Sequence, residues 1–161
     1  MTVDTNKLVY RAMTMADIPA IVDIELEAFS SPWTTEAFTN ELINNLFARY
    51  LVMEYRGEII GYGGMWVIMD EAHVTNIAVR SDFRGQGLGH RLLFELQRTA
   101  VFFGAVKMTL EVRVSNEIAQ RLYRKFGFEP SGIRPRYYSD NEDALIMWAE
   151  LDRERLKTGE Q

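Results

Sequence analysis

Residues 84–89 read Arg84-Gly85-Gln86-Gly87-Leu88-Gly89, three alternating glycines set between an apolar stretch that ends at Val79 and an amphipathic stretch that begins at Leu88. Strand, glycine-rich turn and helix in that order make an anion-binding arrangement. Glycine lets the backbone approach a ligand closely, the first N–H groups of a helix have no partner within it, and the helix dipole favours negative charge there. Two better-known phosphate loops do not fit. A dinucleotide fingerprint needs glycine at position 90, which is His90, and a P-loop needs Gly-Lys-Ser/Thr, which does not occur. The glycines alone leave a second reading open, a helix-start turn with no ligand.

On the N-terminal side of this loop, Leu8–Ala12 reads as a strand. Thr14 and Asp17 have capping-box spacing, with Asp where Glu is usual. They precede Ile18, Ile21, Val22, Ile24 and Phe29, an amphipathic helix pattern that tolerates Pro19 in its first turn. Ser30-Ser31-Pro32-Trp33 breaks that helix, and a second is predicted over Thr35–Asn45. Arg49–Glu54 and Ile59–Met69 read as strands joined by Arg56-Gly57, and the glycines at 61, 63 and 64 predict a bulge or a close approach. Val74–Val79 is the next strand.

On the C-terminal side, a helix from Leu88 to Phe103 stops at Gly104, and a strand follows over Lys107–Val114. A helix over Asn116–Phe126 stops at Gly127, and Phe128–Ile133 and Ala144–Leu151 read as the last strands. The order predicts an α/β (α+β) fold whose mixed, mostly antiparallel sheet has about seven strands flanked by about four helices. Residues 1–151 are expected to form one domain, and the polar tail 152–161 to fray.

The chain of 161 residues has 47% hydrophobic and 25% charged residues, enough for one sizeable core. It has no cysteine, which excludes disulfides, zinc–thiolate sites and thiol nucleophiles. Two histidines, His73 and His90, do not make a metal site, so no metal is expected. The N-terminus lacks the apolar core of a secretory signal and no apolar run is long enough for a bilayer, so a cytoplasmic protein with no membrane partner is expected. The net charge of −5 argues against an extended nucleic-acid groove and suits a cationic peptide or amine, although mild acidity is common in soluble proteins. A monomer is the default expectation.

Five residue patterns bear on chemistry. In the Lys107–Val114 strand, Met108, Leu110, Val112 and Val114 fall on one face and Thr109, Glu111 and Arg113 on the other. Glu111 is therefore either part of a solvated pair with Arg113 or a carboxylate placed to act as a base. Tyr123 has helical spacing with Ala119, Leu122 and Phe126, which by itself suits a core aromatic. Asn116 has the position of an N-cap. Trp33 and the pair Tyr137-Tyr138 are aromatics with polar ends, suited either to packing or to gripping an extended peptide. His73 sits on a strand, where it is a second candidate base.

The pattern Arg84-x-x-Gly87-x-Gly89 between a strand and a helix resembles the GCN5-related N-acetyltransferase superfamily (GNAT), and the resemblance runs from Val9 to about Trp148. Ser31-Pro32-Trp33, Thr75-Asn76-Ile77-Ala78-Val79, Leu110–Asn116, Leu122-Tyr123, Phe126-Gly127-Phe128 and Arg136-Tyr137-Tyr138 are similar, more narrowly, to the bacterial ribosomal-protein-alanine N-acetyltransferase family (RimI type). The resemblance implies the GNAT acyl-CoA N-acyltransferase fold with splayed central strands. It also implies acetyl-CoA as co-substrate, its pyrophosphate held by Arg84, Gly85, Gln86, Gly87, Leu88 and Gly89, with His90 near the phosphates or in solvent. Ile77, Ala78 and Val79 would pair their backbone with the pantetheine arm, and Asn116 would contact it. Glu111 becomes the base, acting on the amine through water, and Tyr123 the acid at the thiolate.

The resemblance further implies an acceptor, the N-terminal alanine of a small-subunit ribosomal protein, whose basic N-terminal segment suits an acidic enzyme. Elementary energetics agree. An α-amine has a pKa of about 7.7–8.0 against about 10.4 for lysine, so neutral lysine costs roughly 3.5 kcal/mol more near neutrality. Two other functions remain: acetyl transfer to a lysine, polyamine or other small amine, and an acyl-CoA-binding module without turnover. A binding module needs neither Glu111 nor Tyr123.

Overall fold

A computed structural model of the chain describes residues 2–158. Its elements are β1 (Leu8–Ala12), α1 (Ile18–Ala28), α2 (Thr35–Asn44), β2 (Ala48–Tyr55), β3 (Glu58–Ile68), β4 (Glu71–Val79), α3 (Leu88–Phe102), β5 (Lys107–Arg113), α4 (Glu117–Lys125), β6 (Glu129–Arg134), β7 (Ala144–Glu150) and α5 (Arg153–Thr158). The strands form a seven-stranded mixed sheet in the order β1-β2-β3-β4-β5-β7-β6. No helix among the described residues is long and apolar enough to cross a membrane. The chain packs as two compact units, Met1–Trp66 with Thr75–Leu96, and Val67–Val74 with Gln97–Gln161.

In the first unit β1 pairs antiparallel with β2, and β2 with β3. The β2–β3 register shifts between Met53 and Glu54, which is the bulge that the β3 glycines predict. The same glycines also meet a close approach. Gly64 faces Tyr50 across the two strands, and an added Cβ would lie 1.9 Å from that ring; one at Gly63 would lie 2.7 Å from Leu96. The core of this unit joins Ile18, Ile21 and Ile24 of α1, Phe38 of α2 and Tyr50, Val52 and Tyr62 of the sheet. The Phe38 ring is fully buried, with Trp33, Tyr50 and Tyr62 at centroid distances of 5.4, 6.3 and 5.9 Å.

The entry to α1 is held as the spacing predicts. Thr14 and Asp17 form a capping box, and Arg11 adds a two-pronged contact to Asp17 at 2.7 and 2.8 Å. The guanidinium of Arg11 is the main reason that the Asp17 carboxyl is pulled down to about 2. Two buried carboxylates are satisfied by neutral donors. Glu25 accepts from the Tyr62 hydroxyl and, at 2.8 Å, from the Trp33 N–H. Glu41 accepts from the Tyr50 hydroxyl at 2.8 Å, Trp66 Nε1 at 2.6 Å and Asn45 Nδ2 at 2.7 Å. Burial in this polar cluster raises both tyrosine hydroxyls far above their ordinary range, so they remain donors.

In the second unit β4 and β5 run parallel through Glu71↔Lys107, Ala72↔Met108 and His73↔Thr109, the first three residues of β4. β5 then pairs antiparallel with β7 over its whole length, and β6 joins the far side of β7. The later strand β7 thus lies between β5 and β6. Burial alternates along β5, with Met108, Leu110 and Val112 buried and the intervening side chains partly exposed. Val114, expected on the apolar face, lies past the end of the strand and is exposed, its N–H held by the Asp143 carbonyl at 3.2 Å.

A fifth helix forms where the polar tail was expected to fray. Leu156 is the reason: its side chain is 1% exposed, and an apolar anchor of that kind holds a single helical turn. The rest of the tail, residues 159–161, lies outside the described residues.

Candidate active site

Glu111 occupies the middle of β5 on the partly exposed face. Its side chain is only 7% exposed, and each of its oxygens has a partner. Oε2 lies 2.7 Å from His73 Nε2 on the neighbouring β4, and Oε1 lies 3.3 Å from Arg134 Nε at the end of β6. The parallel β4–β5 register makes the first contact. His73 lies opposite Thr109, so its side chain shares a face with Thr109 and Glu111. Thr109 is itself held by the Met147 carbonyl at 2.9 Å.

Arg113, a further charged residue on this face of β5, is held by Asp140 at 2.8 Å and Glu142 at 2.9 Å. The ion pair that spacing on one strand suggests for Glu111 and Arg113 thus gives way to partners from β4, β6 and the β6–β7 loop. Asp140 and Glu142 have lowered pKa values. Asp140 is stabilised first by the Glu142 N–H and then by Arg113, and Glu142 first by Ser115 and then by Arg113.

The loop also carries Tyr137 and Tyr138, whose rings meet edge to face at 5.1 Å. The Arg134 guanidinium lies 5.7 Å from the Tyr137 ring and that of Arg113 lies 4.1 Å from the Tyr138 ring. The loop backbone is fixed by Arg136 N on Asp143 Oδ1 at 2.8 Å and Tyr138 N on the Glu142 carbonyl at 3.2 Å. Tyr137 is 47% exposed. Burial, followed by the neighbouring Tyr137 hydroxyl, raises Tyr138 to about 12, and burial followed by the Glu111 charge raises Tyr137. Glu111, His73, Tyr137 and Tyr138 of the sequence-predicted residues therefore come together. Arg134, Asp140 and Glu142 join them without any motif to announce them.

Asn116 and Tyr123 belong to the same unit. Asn116 caps α4, its Oδ1 accepting from the Ala119 N–H at 3.1 Å. Tyr123 is 8% exposed, with its ring 5.7 Å from that of Phe128. Burial raises its hydroxyl to about 12, so it is protonated at neutral pH and can only donate to a developing anion.

The glycine loop belongs to the first unit. Gly85 and Gly87 have φ of 80° and 75°, conformations that other residues adopt only with strain. They open onto free space, since a Cβ at either would meet nothing within 4 Å. α3 starts at Leu88, which is buried, and leaves its first amides facing the turn. Arg84 is exposed and anchored to the Val79 carbonyl at 3.2 Å. Gln86 Oε1 accepts from the Val3 N–H at 2.8 Å, a local role that its place in the motif does not reveal. Upstream, Glu27 binds Ser81 through its N–H at 2.7 Å and its hydroxyl at 2.9 Å, and so fixes the approach to the turn. Ile77, Ala78 and Val79 end β4, alternating in burial, and Trp33 packs on Phe38 in the core.

Two kinds of chemistry are available. A backbone cradle of positive-φ glycines at a helix start suits a phosphate-bearing ligand. A sequestered carboxylate, a protonated buried phenol and a paired-tyrosine loop suit proton transfer around a polar substrate.

The model of the acetyltransferase (GNAT) family matches residues 18–128. A protein of Bacillus subtilis (strain 168) is 47% identical over 148 residues, covering 91% of this chain and 98% of that one; its name gives it provisionally as a [ribosomal protein bS18]-alanine N-acetyltransferase. The crystal structure of the ribosomal-protein-S18-alanine N-acetyltransferase from Escherichia coli superposes with a TM-score of 0.83 at 32% identity, covering 90% of this chain and 94% of that one. A GNAT family acetyltransferase from Elizabethkingia anophelis with acetyl-CoA bound gives a TM-score of 0.76 at 25% identity, over 91% and 99% of the two chains.

Proposed function

The chain belongs to the acetyltransferase (GNAT) family, and from that premise we propose that it transfers the acetyl group of acetyl-CoA to the N-terminal α-amine of a protein, with an N-terminal alanine of a small-subunit ribosomal protein as acceptor. The observation that carries this reading is Glu111, a carboxylate 7% exposed and held from two sides beside the Tyr137-Tyr138 loop. The names of the relatives support the choice of acceptor.

In this reading the N–H groups at the start of α3 and the Arg84 side chain hold the pyrophosphate, and the backbone of Ile77–Val79 pairs with the pantetheine amides as an added strand would. A backbone N–H of that strand end polarises the acetyl carbonyl. Glu111 removes the proton from the ammonium group through water, so that the lone pair can attack. Tyr123 faces the departing thiolate. A phenol near 12 transfers its proton uphill to a thiolate of ordinary pKa about 8.5, so its contribution is chiefly a hydrogen bond to the developing charge. Tyr137 and Tyr138 grip the backbone of the peptide.

Tyr123→Phe is expected to lower kcat by about 10- to 100-fold, the worth of one hydrogen bond to a charge, with acetyl-CoA affinity unchanged. Steady-state kinetics with direct titration of acetyl-CoA binding checks this, and wild-type kcat in the variant removes Tyr123 from the mechanism.

The acceptor is tested by following thiol release from acetyl-CoA with two peptides. One begins with a free alanine and has a basic segment; the other has a blocked N-terminus and a free lysine. The α-amine peptide is expected to react faster by a factor of at least about 100, from its lower pKa. A preference for the lysine peptide sinks the α-amine reading, and no thiol release with either peptide or with polyamines would favour a binding module.

A further inference from the structure

The His73–Glu111 contact is the shorter of the two that hold the Glu111 carboxylate, 2.7 Å against 3.3 Å for Arg134. It is also the more firmly founded. His73 belongs to the β4–β5 ladder, whereas Arg134 ends an edge strand and its side chain is 53% exposed. A carboxylate can only accept, so a neutral imidazole meets it with Nε2–H donating. The His73 side chain is 33% exposed and reaches solvent, which Glu111 at 7% hardly does.

We infer that His73 is a positioning residue for Glu111, which orients the carboxylate toward the acceptor amine and, through its own charge state, sets the acid limit of activity. The inference rests on the reading of Glu111 as base. Neutral His73 donates one hydrogen bond to Oε2, which fixes the carboxylate plane and leaves it anionic and able to take a proton. Protonated His73 puts a full positive charge at the same 2.7 Å, opposite the guanidinium of Arg134, and a carboxylate between two cations is a poor base.

The other charged groups near this face are already matched. Glu71 on β4 pairs with Lys107 on β5 at 3.3 Å, and Arg113 is held by Asp140 and Glu142. The Tyr137 hydroxyl in the β6–β7 loop is raised above its usual range and so stays neutral.

The test compares His73→Gln, His73→Leu and Glu111→Gln with wild type, measuring kcat and both KM values from about pH 5.5 to about pH 9.5. Glutamine keeps a neutral N–H donor and cannot become charged; leucine keeps bulk and offers no donor. His73→Leu is expected to lose about 10-fold in kcat across the range, with KM for acetyl-CoA within about twofold of wild type. His73→Gln is expected to keep most of the wild-type kcat on the alkaline side and to retain activity to lower pH than wild type. Wild-type kcat and an unchanged pH profile in both variants overturn the inference, as does a glutamine variant as impaired as the leucine one with its acid limit unmoved. Glu111→Gln separates the two layers. If it matches wild type near neutral pH, the base reading itself fails; if it is impaired there while both His73 variants match wild type, only the role of His73 fails.

Discussion

Glu111→Gln is expected to reduce kcat by about 100- to 1,000-fold near neutral pH, the usual worth of a positioned general base. The amide has nearly the shape of the carboxylate but cannot take a proton from an ammonium group. It also cannot accept from both flanking donors, because one of its two ends now presents N–H to His73 or to Arg134. The deficit should shrink as pH rises, since an α-amine with a pKa of about 8 is mostly neutral above about pH 9 and needs no base. The measurement is kcat for wild type and variant over that pH span, with acetyl-CoA binding checked separately. A wild-type-to-variant ratio that stays flat with pH would count against proton abstraction and for a purely structural Glu111.

Gly64→Ala has the largest effect expected on stability. The new Cβ would sit 1.9 Å from one Tyr50 ring carbon and 2.3 Å from another, far inside any tolerable contact. A flexible side chain would swing away. Tyr50 cannot, because its hydroxyl is held by Glu41 at 2.8 Å and Thr75 at 3.0 Å and its ring packs on Phe38. Overpacking together with the hydrogen bonds sacrificed should cost roughly 3 kcal/mol or more. Urea unfolding of the single variant, and of Gly64→Ala combined with Tyr50→Ala, checks the mechanism. The second substitution removes the ring, so adding Gly64→Ala to it should cost little. A single variant within about 0.5 kcal/mol of wild type would show that the strands can part without penalty.

The features that could be read from the sequence share a physical cause, which is local chemistry. The capping box at Thr14 and Asp17, the alternation along β5 from Met108 to Val112 and the stops at Gly104 and Gly127 depend on neighbours in the chain, and these appear where expected. The β3 glycines announce that something lies close, but only the β2–β3 register reveals that it is Tyr50. Register is a tertiary property. For the same reason the Glu111–His73 contact and the role of Arg134 were not legible, since one depends on a parallel ladder and the other on an edge strand that returns from residue 134. The catalytic candidates Glu111 and Tyr123 could be named from motif resemblance, and their burial, with the phenol of Tyr123 raised to about 12, could not. Leu156 was missed because one apolar residue in a polar tail has no periodicity to detect.

The placement of β7 between β5 and β6 has a consequence for the order of assembly during synthesis. β5 is complete at residue 113 and β6 at residue 134, yet β7, the last strand among the described residues, supplies the partner of both. While the chain emerges from the ribosome, the long edge of β5 that carries Glu111 stays unpaired until about residue 150 has cleared the exit tunnel. A nascent chain stalled before that point would present an open strand edge to the crowded surroundings of translation.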